Sequence, residues 1–352
     1  MQKNILEKIV AFGVAAPSGD NCQSWEIERH VDILRLISVP AKDLKYLKIG
    51  ELAAFLSFGA LLENMDIASG SLGYAMQTNL FPDSKNPLLI AECSFKETPA
   101  KNDPLFSAIM ERRTNRRPYA QQPLSPAARS NILEQASLIT GPELHLFERT
   151  TPEFQKLARL TGIGEQMFFE SEALHEYLFN HIRWDDFSAR QTKDGMHVKT
   201  LELGNALMDA AFRFLKPWAL ASFLNTLGAS WFINRRAVWL NQKSSAFILL
   251  NVPQSSPKDY VAAGRLMQRI WLATTACGLA MQPTSAISLA LHAFKLGQGS
   301  FSPRHRRFLK QAEPLMDGIL PAGKAELSLM MFRVGNATPP SGPSWRRVYR
   351  FE

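Results

Sequence analysis

Cysteine is scarce in this 352-residue chain: Cys22, Cys93 and Cys277 stand far apart. They form no CxxC pair and no metal-type spacing, which argues against a disulfide framework and a cysteine-held metal. A reduced, cytoplasmic setting fits. Histidine is equally thin. There are seven, and His175 and His181 lie six apart, off the i, i+4 spacing of paired ligands on a helix. No Ser-His-Asp or Cys-His arrangement is readable, so no catalytic side chain and no metal ligand is assigned. A basic-then-apolar leader is missing too, because MQKNILEKIV begins an amphipathic helix. Long apolar runs are interrupted. The stretch 212–233 carries Arg213, Lys216, Pro217 and Asn225, which argues against a membrane span and for buried or lid-forming helices.

What is present is an ordinary globular composition, 46% hydrophobic, with a net charge of +8. The excess charge invites a nucleic-acid reading. It is gathered, however, in ERRTNRR, SPRHRRFLK and the C-terminal SWRRVYR, and no recognition motif accompanies it. A small anionic ligand explains such clusters as well. Neither nucleic acid nor membrane is an expected partner. Arg304, His305, Arg306 and Arg307 read as a solvated helix face or a phosphate-side patch.

Patterning predicts a helix to about residue 15, a turn over Pro17, Ser18, Gly19, Asp20 and Asn21, and a strand pair in SWEIERH and VDILRLIS. A long helix follows over about 50–69, then a buried strand at 87–95. The polar stretch TPAKNDP at 98–104 marks a boundary. Beyond it come a short helix ending in Arg113 and a helix with Ser125 as its N-cap. ELHLFER, SSAFILLNV and ELSLMMFRVG read as strands, 152–238 as long helical stretches, and 257–277 as a helix.

The chain also resembles itself. FGALLENMDIASGSLGYAMQ, from Phe58, aligns without gaps on AGRLMQRIWLATTACGLAMQ, from Ala263. Gly59 falls on Gly264, Leu61 on Leu266, Ala68 on Ala273, and Gly73 to Gln77 on Gly278 to Gln282. Two similar buried helices explain part of this. G-x-A-M-Q at both helix ends points further, to two copies of one α+β unit.

Two segments carry chemistry. In ERRTNRRPY, Arg112, Arg113 and Arg116 offer fixed forks of donors matched to phosphate oxygens, and Thr114 adds a hydroxyl. Taken alone, the segment reads no less well as a solvated basic turn. In AAPSGDNCQSW, Pro17, Gly19 and Asn21 make an irregular turn where backbone N–H groups can converge. Taken alone, this is an ordinary helix–strand turn.

Together, APSGDNCQSW resembles the A-P-S-x-x-N-x-Q-P-W signature of the FMN-dependent nitroreductase family, and RRTNRRPY its R-R-S-x-R-x-F phosphate motif. GLAMQPTSAI resembles its later G-L-x-x-x-P segment. Ordinary members pair as homodimers whose flavin sites are completed across subunits. Here the first half has the A-P-S loop without an arginine motif, and the second has the arginine motif without the loop. The arrangement resembles the dormancy-associated, Acg-type single-chain branch.

The resemblance implies an α+β, nitroreductase-like fold with two duplicated units of mixed or antiparallel sheets surrounded by helices. The units would span 1–100 and 101–352, the second with a helical insert or lid at about 175–240. It implies one FMN per chain in a monomer acting as a pseudo-dimer, with further homodimerisation left open. Arg112, Arg113, Thr114 and Arg116 would hold the phosphate and ribityl end, joined by Arg346 or Arg347. Pro17, Ser18, Gly19 and Asn21 would border the ring, and Pro283, Thr284, Ser285 and Ala286 would pass its N5 edge. NADH or NADPH would be the electron donor and a small organic molecule the substrate. A permanently closed lid would instead make the chain a flavin-sequestering protein. Two departures stand out: Ser24 replaces the usual Pro, and Asp20 sits inside the loop, either capping its turn or bonding the ring.

Overall fold

The chain opens with α1 (Lys3–Gly13), which buries Leu6, Ile9 and Val10 at helical spacing. This is a computed structural model, and it describes residues 2–39, 49–320, 324, 327–342 and 344–351. After α1 the Pro17–Asn21 turn includes one short 3-10 turn at Gly19–Asn21. Then come β1 (Trp25–His30), β2 (Ile33–Ser38), α2 (Ile49–Ser71), β3 (Tyr74–Leu80) and β4 (Leu89–Glu97). All pair antiparallel in the order β1-β2-β4-β3.

Next come α3 (Ala108–Glu111), α4 (Pro126–Ser137), β5 (Glu143–Glu148) and α5 (Pro152–Phe169). Ser125 caps α4 as expected, its side chain accepting from the Ala128 N–H. The stretch expected to be long helices is cut into shorter pieces. These are α6 (Glu172–Asn180), β6 (Ile182–Arg183), α7 (Asp186–Thr192), β7 (Met196–His197), α8 (Ala206–Phe214), α9 (Trp218–Thr226) and α10 (Ala229–Asn241). The cuts have local causes: left-handed backbone at Lys193, Gly195, Glu202, Gly204 and Gly228, and Pro217 before α9.

The chain then runs through β8 (Ala246–Asn251), α11 (Pro257–Ala276), β9 (Ala280–Pro283), α12 (Ala286–Lys295), α13 (Pro303–Asp317) and β10 (Ser328–Gly335). The second sheet has the order β5-β8-β10-β9, again antiparallel throughout. The expected strand ELSLMMFRVG begins at residue 326, outside the described residues. Strands β3 and β9 and helix α12 were not anticipated, and α13 only as a solvated helix face over residues 304–307. β3 begins directly after, and β9 one residue beyond, a positive-φ glycine, Gly73 and Gly278, that follows the end of the preceding long helix.

The two sheets share one connectivity. In each, a strand pair leads into a long helix, and the third and fourth strands return in the spatial order first-second-fourth-third. Helices α2 and α11 fill the space between the sheets, and they touch where the sequence repeats. A Cβ built on Gly59 would lie 2.7 Å from Gly264 Cα and 2.1 Å from the Val261 carbonyl; one built on Gly264 would lie 2.1 Å from the Leu56 carbonyl. Only glycine permits such an approach. Around it Glu63 bonds Arg269 at 2.7 Å, and its counterpart pair, Asn64 and Gln268, also meets at 2.7 Å. Equivalent residues thus exchange partners reciprocally, as across a two-fold axis.

By length and composition α2 is apolar enough to cross a membrane, but 78% of its apolar window lies inside the protein. It buries Leu56, Phe58, Leu61, Leu62 and Met65, each such side chain contributing about 1.5–3 kcal/mol.

Candidate functional site

The arginine run and the Pro17–Asn21 turn meet, although about a hundred residues separate them. Arg112 follows α3 and is only 3% exposed. Its Nη2 donates to the Ala15 carbonyl at 3.1 Å, and its guanidinium lies 4.5 Å from the Trp271 ring centroid. Its Nε and Nη1 are buried without a hydrogen-bond partner. Burial first, then the charges of Arg346 and Arg113, push Arg112 well below the ordinary arginine range. Arg346 is likewise pushed down, to about 10, by burial and then by Arg113. Its Nε is also buried and unpartnered. Arg113 is exposed and donates to the Met110 and Arg112 carbonyls at 2.7 and 2.9 Å. Three cations thus converge, and among the described residues none of them forms a salt bridge with a carboxylate. Arginine cannot shed its proton to relieve this, so the cluster is complementary to an anion.

The other expected residues divide. Thr114 forms a parallel bridge with Met281, which lays the arginine run beside β9 and so beside Pro283 to Ala286. Pro283 ends β9 opposite Phe332. The Thr284 N–H donates to the Met331 carbonyl at 2.8 Å, while its Oγ1 is buried and unpartnered. Ser285 is committed to Met331, donating to its carbonyl at 2.8 Å and accepting from its N–H at 2.9 Å. Ala286 starts α12.

Asn21 is fully engaged by protein. Its Nδ2 donates to the Gly195 and Trp345 carbonyls at 2.9 and 3.0 Å, and its Oδ1 accepts from Arg346 at 2.5 Å. It therefore positions Arg346. Ser18 Oγ accepts from the Gln23 N–H at 3.0 Å and shapes the turn that Gly19 opens. Gln23 donates to the Lys193 carbonyl at 2.7 Å, binding the turn to the insert. Gly195 is required there: its φ is +68°, and a Cβ would lie 2.5 Å from the His181 carbonyl.

Arg347 and Arg116 stand apart from the three-cation cluster. Arg347 pairs with Asp194 at 3.2 Å and is thereby neutralised. Arg116 donates to the Thr200 carbonyl at 3.0 Å and faces the carboxylates of Asp20 and Glu165. Asp20 has φ +43°, a left-handed conformation that aspartate adopts more readily than most non-glycine residues. Its carboxylate accepts from Tyr177 and faces His181 and Arg116. Burial raises Asp20 and Glu165 above the ordinary carboxylate range and lowers Arg116, so desolvation outweighs pairing in all three. Yet Glu165 is solvent-exposed and Asp20 and Arg116 are partly so. Groups deep among protein atoms that still meet water line a recess. His181 Nδ1 lies 2.8 Å from the Tyr177 carbonyl, which can only accept, so that nitrogen carries the proton.

Glu165, Tyr177 and His181 went unnoticed in the sequence as site residues. They come from α5 and α6, and no spacing ties them to the turn. A cleft of about 780 Å3 lies elsewhere, between α4 and β5, and is lined by Leu124, Arg129, Ser130 and Glu148. Among the described residues no group of His, Cys, Asp or Glu is arranged to hold a metal ion.

No family model matches the chain. It is 24% identical to an uncharacterised protein of Mycobacterium tuberculosis over 97% of its own length and 47% of that protein. It is 32% identical to a provisionally named NAD(P)H nitroreductase of the same organism, over 34% of this chain and 35% of that one. The matches thus span about half and about a third of these relatives. Among solved structures, a provisionally named nitroreductase from Anabaena variabilis aligns at TM-score 0.42 and 11% identity, over 87% of this chain and 69% of that one. The FMN-dependent nitroreductase NfnB from Mycobacterium smegmatis, in complex with NADPH, aligns at TM-score 0.36 and 12% identity, over 71% of this chain and 94% of that one. A nitroreductase with bound FMN from Bacteroides fragilis aligns at TM-score 0.33 and 11% identity, over 67% and 90%.

Proposed function

We propose that this chain is an FMN-binding oxidoreductase of the nitroreductase type, carrying out an NAD(P)H-linked two-electron reduction or oxidation of a small organic molecule through the flavin, with NADH or NADPH as the electron donor in the reductive direction. The observation that carries it is the convergence of Arg112, Arg113 and Arg346 with buried, unpartnered donors on two of them. Three fixed cations with donors to spare suit a phosphate monoester, whose oxygens accept several charge-assisted hydrogen bonds at once. Thr284, with its unpartnered hydroxyl on the neighbouring segment, is a further donor toward the same ligand. Asn21 and Gln23 hold Arg346 and the insert in register.

When bound, the flavin supplies the two-electron chemistry. The chain orients it, keeps its phosphate end neutralised, and sets Arg116 with Asp20 and Glu165 in the adjoining recess. Two halves, 1–100 and 101–352, are read as copies of one unit, the second with its insert at about 175–240. Support comes from the shared strand order and from Gly59 meeting its counterpart Gly264. One half then brings the turn and the other the arginines, which leaves one FMN site per chain. The cofactor-binding set in this reading is Arg112, Arg113, Arg346, Thr114, Thr284 and the backbone of residues 17–21 and 283–286. Arg116 and Arg347 serve as supports. A reduced, cytoplasmic setting accompanies this reading.

The test is the flavin absorbance of the purified protein and its FMN-to-chain ratio. The expected result is one FMN per chain, bleached on anaerobic mixing with NADH or NADPH. Bleaching by dithionite alone would mean that the chain stores flavin without turnover. A colourless protein that takes up no added FMN would sink both readings.

A further inference from the structure

Helices α8, α9 and α10 present an apolar surface that the flavin reading leaves unused. Eight of the fifteen large hydrophobic side chains found exposed fall between residues 207 and 239: Leu207, Met208, Phe214, Phe223, Leu227, Trp231, Phe232 and Trp239. Helix α8 buries none of its residues and α9 buries only Ala221. On α10, Trp231, Phe232, Arg235, Arg236 and Trp239 share one face by helical spacing. That face is fixed outward, because the opposite one is fastened. Ser230 donates to Glu170 at 2.6 Å and Asn234 to Gln166 at 3.1 Å, while Asn225 ties α9 to the Phe169 carbonyl at 2.6 Å. So many exposed rings on a pinned surface mark an interaction site.

The charge pattern selects the partner. Residues 206–243 hold five basic side chains, Arg213, Lys216, Arg235, Arg236 and Lys243, against one acidic, Asp209. The cations stand on the rings: Arg235 lies 5.0 Å from the Trp231 centroid and Lys243 4.2 Å from that of Trp239. A second copy laid on this surface about a two-fold axis would set basic residues against basic residues. An anionic bilayer takes both features. Rings enter the acyl boundary while Arg and Lys reach up to the headgroups. A cleft of about 680 Å3 adjoins the surface, lined by Phe179, Phe214, Trp218 and Leu220 together with Arg213, Lys216 and one carboxylate, Glu176. Its apolar walls and its excess of two cations over one carboxylate suit one anionic lipid.

We propose that α8–α10 dock the protein peripherally on an anionic lipid surface, independently of whether it binds flavin. No spanning segment is involved. The test is co-sedimentation of the full chain with phosphatidylcholine vesicles, with and without about 30% phosphatidylglycerol. Binding is expected only to the anionic vesicles and should weaken as salt rises. The double variant Trp231→Ser/Phe232→Ser should lose binding at least ten-fold with unchanged circular dichroism. Arg235→Gln/Lys243→Gln should lose roughly ten- to thirty-fold and flatten the salt dependence, at about five-fold per basic residue. Equal behaviour with both vesicle types, or no binding to either, overturns the proposal. So does concentration-dependent dimerisation abolished by Trp231→Ser/Phe232→Ser without vesicle binding, which would assign the surface to a second copy. All readouts are independent of flavin, so failure here leaves the proposed activity standing.

Discussion

The two sheets follow one connectivity yet sit in different surroundings. In β2, which occupies the place of β8, only Leu34 and Leu36 are buried, the alternation of a strand with one face to solvent. In β8 and β10 every residue is buried. The difference lies in what the chain adds. In the first sheet short connections join β1 to β2 and β3 to β4, whereas the second has α5 to α10 between β5 and β8, and α12 and α13 between β9 and β10. Those insertions cover the second sheet and also contribute Glu165, Tyr177 and His181 to the recess. Two sheets of one strand order thus take unequal parts: the first accompanies the 17–21 turn, the second Arg112, Arg113 and the inserted helices.

The shared crossing is the place to break this most severely. Gly264→Leu must push apart the backbones of α2 and α11 at their closest point. We expect a loss above about 3 kcal/mol, or no soluble protein. Gly70→Ala on the same α2 meets only the Lys101 side chain, at 3.8 Å, and should be neutral or slightly stabilising. Urea midpoints for both compare them directly, and equal midpoints would mean that the crossing is not a fixed contact.

One step smaller is the asymmetry built into that crossing. Glu63 is 1% exposed and pairs with Arg265 at 2.8 Å and Arg269 at 2.7 Å, where the other helix has the uncharged Gln268. Glu63→Ala removes the buried carboxylate that Arg265 and Arg269 share and leaves them only Asp66 and Asp103, at 2.6 and 3.4 Å, a loss of up to about 3 kcal/mol. Glu63→Gln restores the polarity of its counterpart and should recover part of this. Recovery is read from the same urea midpoints, and identical values for the two variants would remove the symmetry argument.

The site offers a comparison between neighbouring cations. Arg112→Ala should weaken FMN binding roughly ten- to a hundred-fold, as loss of a charge-assisted contact does. Arg347→Ala should weaken it much less, because Asp194 already holds that side chain. Fluorescence titration of the flavin-free protein distinguishes them. Equal losses would place the phosphate between Arg346 and Arg347 and not beside Arg112.

Much of this was readable beforehand. The strand pair at 25–38, the helix capped by Ser125, the apolar strands β8 and β10, and the repeat over α2 and α11 all follow from local periodicity and capping chemistry. The convergence of the 17–21 turn with Arg112 and Arg113 was legible only through the resemblance of two motifs. The rest depends on tertiary placement. Nothing in the spacing of Arg346 and Arg347 says that one faces cations and the other Asp194. Likewise the i, i+4 pair Tyr177 and His181 looks like any helix end until the turn at Asp20 packs against it. β3 and β9 were hidden because each is only half-buried and mixes polar with apolar residues.

The finest contrast is between charge pairing and burial in the recess. Asp20 and Glu165 hold their protons more firmly in the folded chain than their ordinary values of 3.8 and 4.5 allow, with burial the largest cause. A raised folded value means that the stabilisation is complete below the ordinary carboxylate range and is lost as pH climbs through the raised values. Glu165→Gln removes that titration. Against wild type, the variant should gain nothing near the ordinary carboxylate range and become the more stable of the two toward neutral pH. The gain should be small, because water reaches Glu165 and screens its neighbours. Thermal melts of both proteins across that range measure it. A variant less stable than wild type at neutral pH would mean that the attraction of Arg116 outweighs burial, and that the recess is built around a standing ion pair.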